Sequence, residues 1–405
     1  MAGTLATNIV NPDPDMIRRA QNAFGIHLLT ELAAETPREN VFISPTGIFM
    51  GLLLAELGAS GETSAAIRRT LYVPVEVGSH HLRQSAASLV RLLCASDGFR
   101  ISFVNAVWAD RRQQLNPDYV ANVRDLGAEA NTLDFSDPAA TEWINAWARK
   151  ASMNLLTDIV SREILAATDC LITNALCFAH RWQDEFNSGD TQDRVFFRAD
   201  GSSKVLPFIR RRKDRGMYRT GPLYEGAVIP YRRGARDQGE FGILLPSPGT
   251  TPEELLAGLD VRNFFEGRSH NVALDFRMPK FAVSCRARLK TALSRMGMEL
   301  AFRYPGADFT SMRSPEFMGS PGFVLGDILH QSRLGLDEEG TVAAAETIVR
   351  VLVGAARPRE FEHRELVIDR PFALLIRDIE STILFAGVVY DPEPLGTETP
   401  ASLLD

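Results

Sequence analysis

The sequence predicts an α+β fold, and three observations point to it. Helical periodicity dominates residues 16–155, strand-like runs dominate from residue 170 onward, and two of the strand-like runs are apolar at both odd and even positions. Helices return between the later strands, but without the regular strand–helix alternation of an α/β protein.

The elements follow in order. Residues 16–34 place Ile17, Ala20, Phe24, Leu28 and Leu32 at helical spacing, after the start signals Asp13-Pro14-Asp15. Residues 45–57 (PTGIFMGLLLAEL) are apolar almost all round, which predicts a buried helix, with Gly58 and Gly61 ending it. Helical patterns also cover 62–71, 80–95, 116–125 and 139–155; in the last, Trp143 and Trp147 are four apart and share a face. Residues 101–109 (ISFVNAVWA) and 170–179 (CLITNALCFA) predict strands covered on both sides. Strands are expected at 226–230, 240–246 and 271–279, a helix near 286–298, and strands at 364–369, 371–377 and 382–390. The tail 391–405 is polar and contains proline, so mobility is expected there.

The 405 residues are 45% hydrophobic and 23% charged, enough for a large core. Length alone would suit two or three domains, but no Pro/Gly/Ser-rich linker separates them. One domain over 1–405 is expected, with its core at about 17–392 and a polar tail at 393–405. A net charge of −7 does not point to nucleic acid. No apolar run reaches the ~20 residues that span a bilayer. The start, MAGTLATNIVNPDPDM, lacks the basic flank and apolar stretch of a conventional secretory signal. The sequence does not name the compartment: with no secretory signal visible, the cytoplasm and export by a non-classical route both stay open.

Cys94, Cys170, Cys177 and Cys285 sit among apolar residues with no CxxC pair. They are read as buried, reduced thiols, which fits a reducing compartment. Cys170 and Cys177 would face opposite sides of one strand and cannot bridge there. None of the seven histidines (27, 80, 81, 180, 270, 330 and 363) falls in a compact metal-ligand spacing, so no metal and no cofactor are expected. GxSxG, GxGxxG and GxxxxGK[ST] are absent, and the sequence offers no catalytic constellation. The run Arg210-Arg211-Arg212-Lys213-Asp214-Arg215 could meet a polyanion, but reads more simply as a solvated turn between strands. His80-His81 reads as a helix start.

The informative segment is 338–353, EEGTVAAAETIVRVLV. Read as a strand, its odd positions are Thr341, Ala343, Ala345, Thr347, Val349, Val351 and Val353, all small or β-branched and uncharged. Glu346 and Arg350 fall at even positions, so one face suits a core and the other suits water. Yet a Gly-Thr start and three alanines make a weak isolated strand, and Gly354-Ala355-Ala356-Arg357-Pro358-Arg359-Glu360 reads as an exposed loop. The segment is suited to be a loop in one state and a strand in another. The plainer alternative is an edge strand followed by a long surface loop.

Eight blocks in order make the chain resemble the serpin (serine protease inhibitor) family over roughly 17–392. They are Asn40-Val41-Phe42-Ile43-Ser44-Pro45, Leu171-Ile172-Thr173-Asn174-Ala175 with Phe178 and Trp182, Met278-Pro279-Lys280-Phe281, Ala307-Asp308-Phe309-Thr310, Ile328-Leu329-His330-Gln331, Asp337 through Ala345, Arg370-Pro371-Phe372, and Phe385-Ala386-Gly387-Val388-Val389. The resemblance implies a fold of about nine helices around three β-sheets, with a large central sheet and an exposed reactive-centre loop. It implies a metastable suicide substrate, not an enzyme. A target protease, serine or cysteine, cuts the loop; the loop then inserts into the central sheet and traps the protease as an acyl-enzyme. The protein would act as a monomer, without nucleic acid or membrane. The alternative within the family is a non-inhibitory binding or carrier protein, against which the alanine-rich hinge argues.

Residue by residue, the resemblance makes Glu338, Glu339, Gly340, Thr341, Val342, Ala343, Ala344 and Ala345 the hinge. Ser44, Asn174 and His330 would form a hydrogen-bonded cluster under the central strands, with Trp182, Lys280 and Glu338 near the point of loop entry. Ala179-His180 stands where many members carry Lys-Gly, a change expected to affect a local turn only. The loop from Gly340 to Pro371 is longer than in many members. Counting forward from the hinge puts the cut at Val353-Gly354 or Gly354-Ala355, suiting an elastase-like protease. Counting back from Pro371 puts it nearer Arg359-Glu360, where Arg357 or Arg359 would suit a trypsin-like one. Pro358 makes the Arg357 bond a poor substrate, and the forward count is favoured.

Overall fold

The computed structural model describes residues 14–94, 100–152, 158–213, 217–232, 239–267, 272–317, 324–341 and 362–395. Val342, Ala343, Ala344 and Ala345, and the reactive-bond candidates Val353, Gly354, Ala355, Arg357 and Arg359, lie outside the described residues.

The longer helices are α1 (Pro14–Glu35), α2 (Pro45–Gly58), α3 (Gly61–Thr70), α4 (Ser79–Cys94), α5 (Pro117–Asp125) and α6 (Pro138–Ala151). The short ones are α7 (Arg162–Ala166), α8 (Pro252–Ala257), α9 (Val261–Glu266) and α10 (Lys290–Leu293). In chain order the strands are β1 (Val41–Ile43), β2 (Arg100–Asp110), β3 (Glu129–Leu133), β4 (Cys170–Arg181), β5 (Gln192–Phe197), β6 (Ser203–Lys213), β7 (Tyr218–Gly221) and β8 (Tyr224–Pro230). They continue with β9 (Glu240–Pro246), β10 (Val272–Pro279), β11 (Phe281–Arg288), β12 (Asp327–Leu336), β13 (Gly340–Thr341), β14 (Glu362–Val367), β15 (Phe372–Arg377) and β16 (Ile383–Val389). Three sheets result: β11-β12-β13-β4-β2-β3 in the centre, β1-β16-β15-β9-β8-β7 behind it, and β14-β10-β6-β5 at one end. This is the expected α+β arrangement.

Local chemistry accounts for the framework. Ser44 caps α2 by accepting from Gly47 N–H at 3.0 Å, and Pro45 opens the helix without wasting a donor. Every residue of α2 except Leu57 is buried, because the helix is wedged between α1 and the sheets. Thr251 and Glu254 close α8 with a capping box. The space between the central and rear sheets is filled by aromatic rings, among them Phe42, Phe178, Trp182, Tyr231, Phe241 and Phe385. A second apolar layer, with Trp108, Ile144, Leu171 and Leu329, lies between the central sheet and α6.

Five expectations change. The helix expected from 286 begins only at Lys290: Phe281–Arg288 are β11, paired along its length with Leu336–Leu329 of β12. The alternation Arg286-Ala287-Arg288 follows the strand period of two. The basic run is not a turn, since Arg210–Lys213 lie inside β6. There Arg210 forks onto Asp275 of β10, Arg211 is buried over the Phe186 ring, and Arg212 is exposed at the rim of the same acidic group. The charges are divided between two faces and partly neutralised, which does not make a polyanion track. Trp147 packs on Trp108 with centroids 5.5 Å apart, but Trp143, one turn earlier, is 68% exposed. In the tail, Glu393 exchanges two backbone hydrogen bonds with Ala282 on the edge of β11, so the chain is tied down that far. Cys170 is buried as expected, whereas Cys285 is half-buried; both are free.

Candidate functional site: the seam of the central sheet

β4 and β12 run parallel and are hydrogen-bonded to each other only at their lower ends, where Leu171–Leu176 pair with Asp327–Ser332. At the upper end they part and admit β13. Gly340 pairs with Arg181, and Thr341 pairs with His180 on one side and Leu336 on the other. Between these ladders, among the described residues, Cys177–Ala179 pair only with β2 and Arg333–Gly335 only with β11. The sheet is a wedge, closed below and parted above by the first two residues of a strand antiparallel to both walls. Gly340 is required here, because a Cβ would stand 2.2 Å from the His180 carbonyl oxygen.

The lower cluster holds the strands together over α2. Ser44 N–H donates to His330 Nε2 at 3.2 Å, and Ser44 Oγ donates to the Leu384 carbonyl at 2.8 Å. With Nε2 accepting, His330 donates through Nδ1 to Asn174 Oδ1 at 2.8 Å. Asn174 Nδ2 in turn donates to Asn105 Oδ1 at 2.9 Å, which extends the cluster to β2. Gly47 and Gly51 of α2 permit this contact; a Cβ at Gly47 would lie 2.6 Å from the Asn174 amide. Ser44, Asn174 and His330 are thus brought together, and Asn105 was missed. Its signal was slight: it is the one polar residue inside the apolar run VNAVWA.

The upper cluster anchors the chain from Asp337 to Thr341. Trp182 donates from its backbone to the Glu339 carbonyl and from Nε1 to the Asp337 carbonyl, each at 2.9 Å. Lys280 Nζ lies 2.8 Å from Glu338 Oε2, and Thr191 donates to Oε1 at 2.7 Å. Burial raises the Glu338 pKa, but these two hydrogen bonds, together with a backbone hydrogen bond and the Lys280 charge, outweigh it and hold the carboxyl below its usual range. Asp337 shifts upward because burial outweighs the amides of Glu339 and Gly340 that bond its Oδ1. Thr341 is fully buried, its hydroxyl 2.7 Å from the Tyr231 hydroxyl.

Tyr231 is stacked between two rings, His180 at 5.3 Å and 3° and Trp182 at 4.9 Å and 7°. The His180 substitution therefore does not sit in a turn: it lies within β4, beside the buried Thr341. Neither Tyr231 nor this stack was foreseen, because the partners are some fifty residues apart in sequence.

Both seam histidines are held neutral. Burial takes His330 down to about 3, and burial followed by the Arg232 cation takes His180 down to about 4. An unfolded histidine titrates near 6.5. Below that value the unfolded chain binds protons that the folded chain refuses, so stability falls as pH falls from about 6.5 toward 4. At pH 5 the two sites together remove about 4 kcal/mol, to order of magnitude, relative to pH 8. Urea midpoints are expected to drop steadily from pH 7 to pH 5, with His180→Gly removing about half of the drop. A flat profile would contradict the assignment.

The serpin (serine protease inhibitor) family model matches residues 19–392. Serpin-Z2A of Triticum aestivum is 30% identical over 97% of this chain and 99% of its own. Among solved structures, an Arabidopsis serpin in its native stressed conformation matches at TM-score 0.80 and 24% identity, covering 93% of this chain and 98% of that one. Human thyroxine-binding globulin complexed with thyroxine matches at TM-score 0.80 and 22% identity, covering 94% and 98%.

Proposed function

The chain belongs to the serpin family, whose function is of the protease-inhibitor kind, and we propose that this member inhibits by being cut in its loop and inserting the cut loop between β4 and β12. The observation that carries the reading is the wedge: a seam parted at the top, with Gly340 and Thr341 of the hinge already seated as its first buried rungs. An incoming strand must run antiparallel to both walls, as β13 does, and would replace one parallel ladder by two antiparallel ones. Its small odd-numbered residues would enter the layer that receives Thr341.

In this reading Glu338 to Ala345 form the hinge, and the Lys280–Glu338 pair and Trp182 fix where the strand enters. The Ser44–His330–Asn174 cluster is the latch that must yield as the strands separate. The protein acts as a monomer on a serine or cysteine protease. Cleavage next to Val353, Gly354 or Ala355 would suit an elastase-like target, and next to Arg357 or Arg359 a trypsin-like one.

The test is incubation with elastase-like, trypsin-like, subtilisin-like and papain-like proteases. At least one is expected to give an SDS-stable complex of about one protease per inhibitor. Mass spectrometry of the released C-terminal peptide should place the cut between 353 and 355. Cleavage by every protease with no stable complex would leave the carrier reading in its place.

A further inference from the structure

Between residues 158–164 and the outer face of β11–β12 lies a cavity of about 300 Å³, at the lower end of the range for small-molecule sites. Its roof is rigid. The Asn145 side chain donates to the Val160 carbonyl and accepts from the Val160 N–H, both at 3.0 Å. Ile159, Val160 and Leu329, all buried, make an apolar wall. On the same sheet face as Leu329 stand Gln331, Arg286 and Arg288: cross-strand pairing puts Arg286 beside Gln331 and Arg288 beside Leu329.

Two features point to a ligand. Gln331 is 6% exposed, and its buried Oε1 accepts no hydrogen bond. A buried acceptor left without a donor costs ~1–3 kcal/mol, so this atom favours a guest that brings an N–H. The two arginines at the mouth are exposed and each already has a partner, which for Arg288 is Asp327 at 2.7 Å. They favour an anion over a cation. Asp158, also at the rim, faces Arg149 at 3.7 Å. An apolar wall, an unmet acceptor and a cationic mouth call for an aliphatic group, an amide N–H and a carboxylate in one small molecule.

We propose that this cavity binds an N-acylated aliphatic amino acid, its carboxylate toward Arg286 and Arg288, its amide on Gln331 and its side chain against Ile159, Val160 and Leu329. The cavity lies on the outer face of β12 beside the seam's lower ladder, to which Leu329 and Gln331 belong, and binding there does not depend on inhibition. A single blocked residue is too short to add a strand to the sheet, which separates this binding from loop-like insertion.

Isothermal titration calorimetry of the full chain with N-acetyl-L-leucine tests it. One saturable site is expected, weakened at least tenfold in Gln331→Leu and in Arg286→Ser, and weakened similarly for N-acetyl-L-leucinamide, which lacks the carboxylate. Gln331→Leu should melt no lower than the wild type, since it removes an unmet buried acceptor. If that variant nevertheless fails to fold, Arg286→Ser, at an exposed position, decides. Heat no larger than dilution on the wild type, meaning a cavity that holds water alone, overturns the proposal. So does unchanged affinity in the folded variants.

Discussion

A Thr341→Arg variant is expected to be cut by the target protease as readily as the wild type, and then to release it. The number of inhibitor molecules consumed per protease inactivated should rise at least tenfold. Thr341 is fully buried against the Tyr231 hydroxyl and paired on both sides, so any residue there enters the sheet at the first step of insertion. Seating a guanidinium in that position costs several kcal/mol, whereas one rung of ladder returns only ~1 kcal/mol. A barrier raised by ~3 kcal/mol slows insertion roughly a hundredfold, and hydrolysis of the acyl-enzyme wins. The intact variant loses only the first rung, a matter of ~1–3 kcal/mol, so it should fold. Thr341→Val keeps the shape and forfeits only the Tyr231 hydrogen bond; it should remain an inhibitor. Measured stoichiometries that are alike for Arg and wild type would mean that the hinge does not enter the sheet.

The periodicities that survive burial were the legible part. α1 and α2 could be placed from apolar spacing alone, and β4 from apolar residues on both parities. The odd-position rule put Thr341 on the buried side, where it lies. What sequence could not supply were partners from distant strands. Asp275 turns Arg210 from a surface charge into half of a cross-strand fork. Asn105 joins the Ser44–His330–Asn174 cluster only because β2 pairs with β4 in a register that sets it opposite Asn174. Tyr231 gains its role by being clamped between His180 and Trp182, and its hydroxyl finds Thr341 across 110 positions of sequence. The helix near 286–298 starts four residues later than expected, at Lys290, because two-residue alternation in a short stretch competes poorly with the helical pattern that follows it.

The second large effect concerns heat. Full insertion would exchange the six-residue parallel ladder between Leu171–Leu176 and Asp327–Ser332 for two antiparallel ladders along a strand of about twelve to fifteen residues. At ~0.5–1.5 kcal/mol net per bond, the gain is on the order of 10 kcal/mol. Spread over the unfolding entropy of a chain this long, that is about ten degrees or more in Tm. The intact protein would then be held by a barrier and not by its depth in free energy.

Differential scanning calorimetry of the intact protein and of the same protein nicked in the loop compares the two states directly. The nicked form should melt about ten degrees or more above the intact one, and the Thr341→Arg variant should lose most of that gain. Nicked and intact wild type melting together would mean that the seam stays unfilled, and that the parted strands are not an entry for the loop.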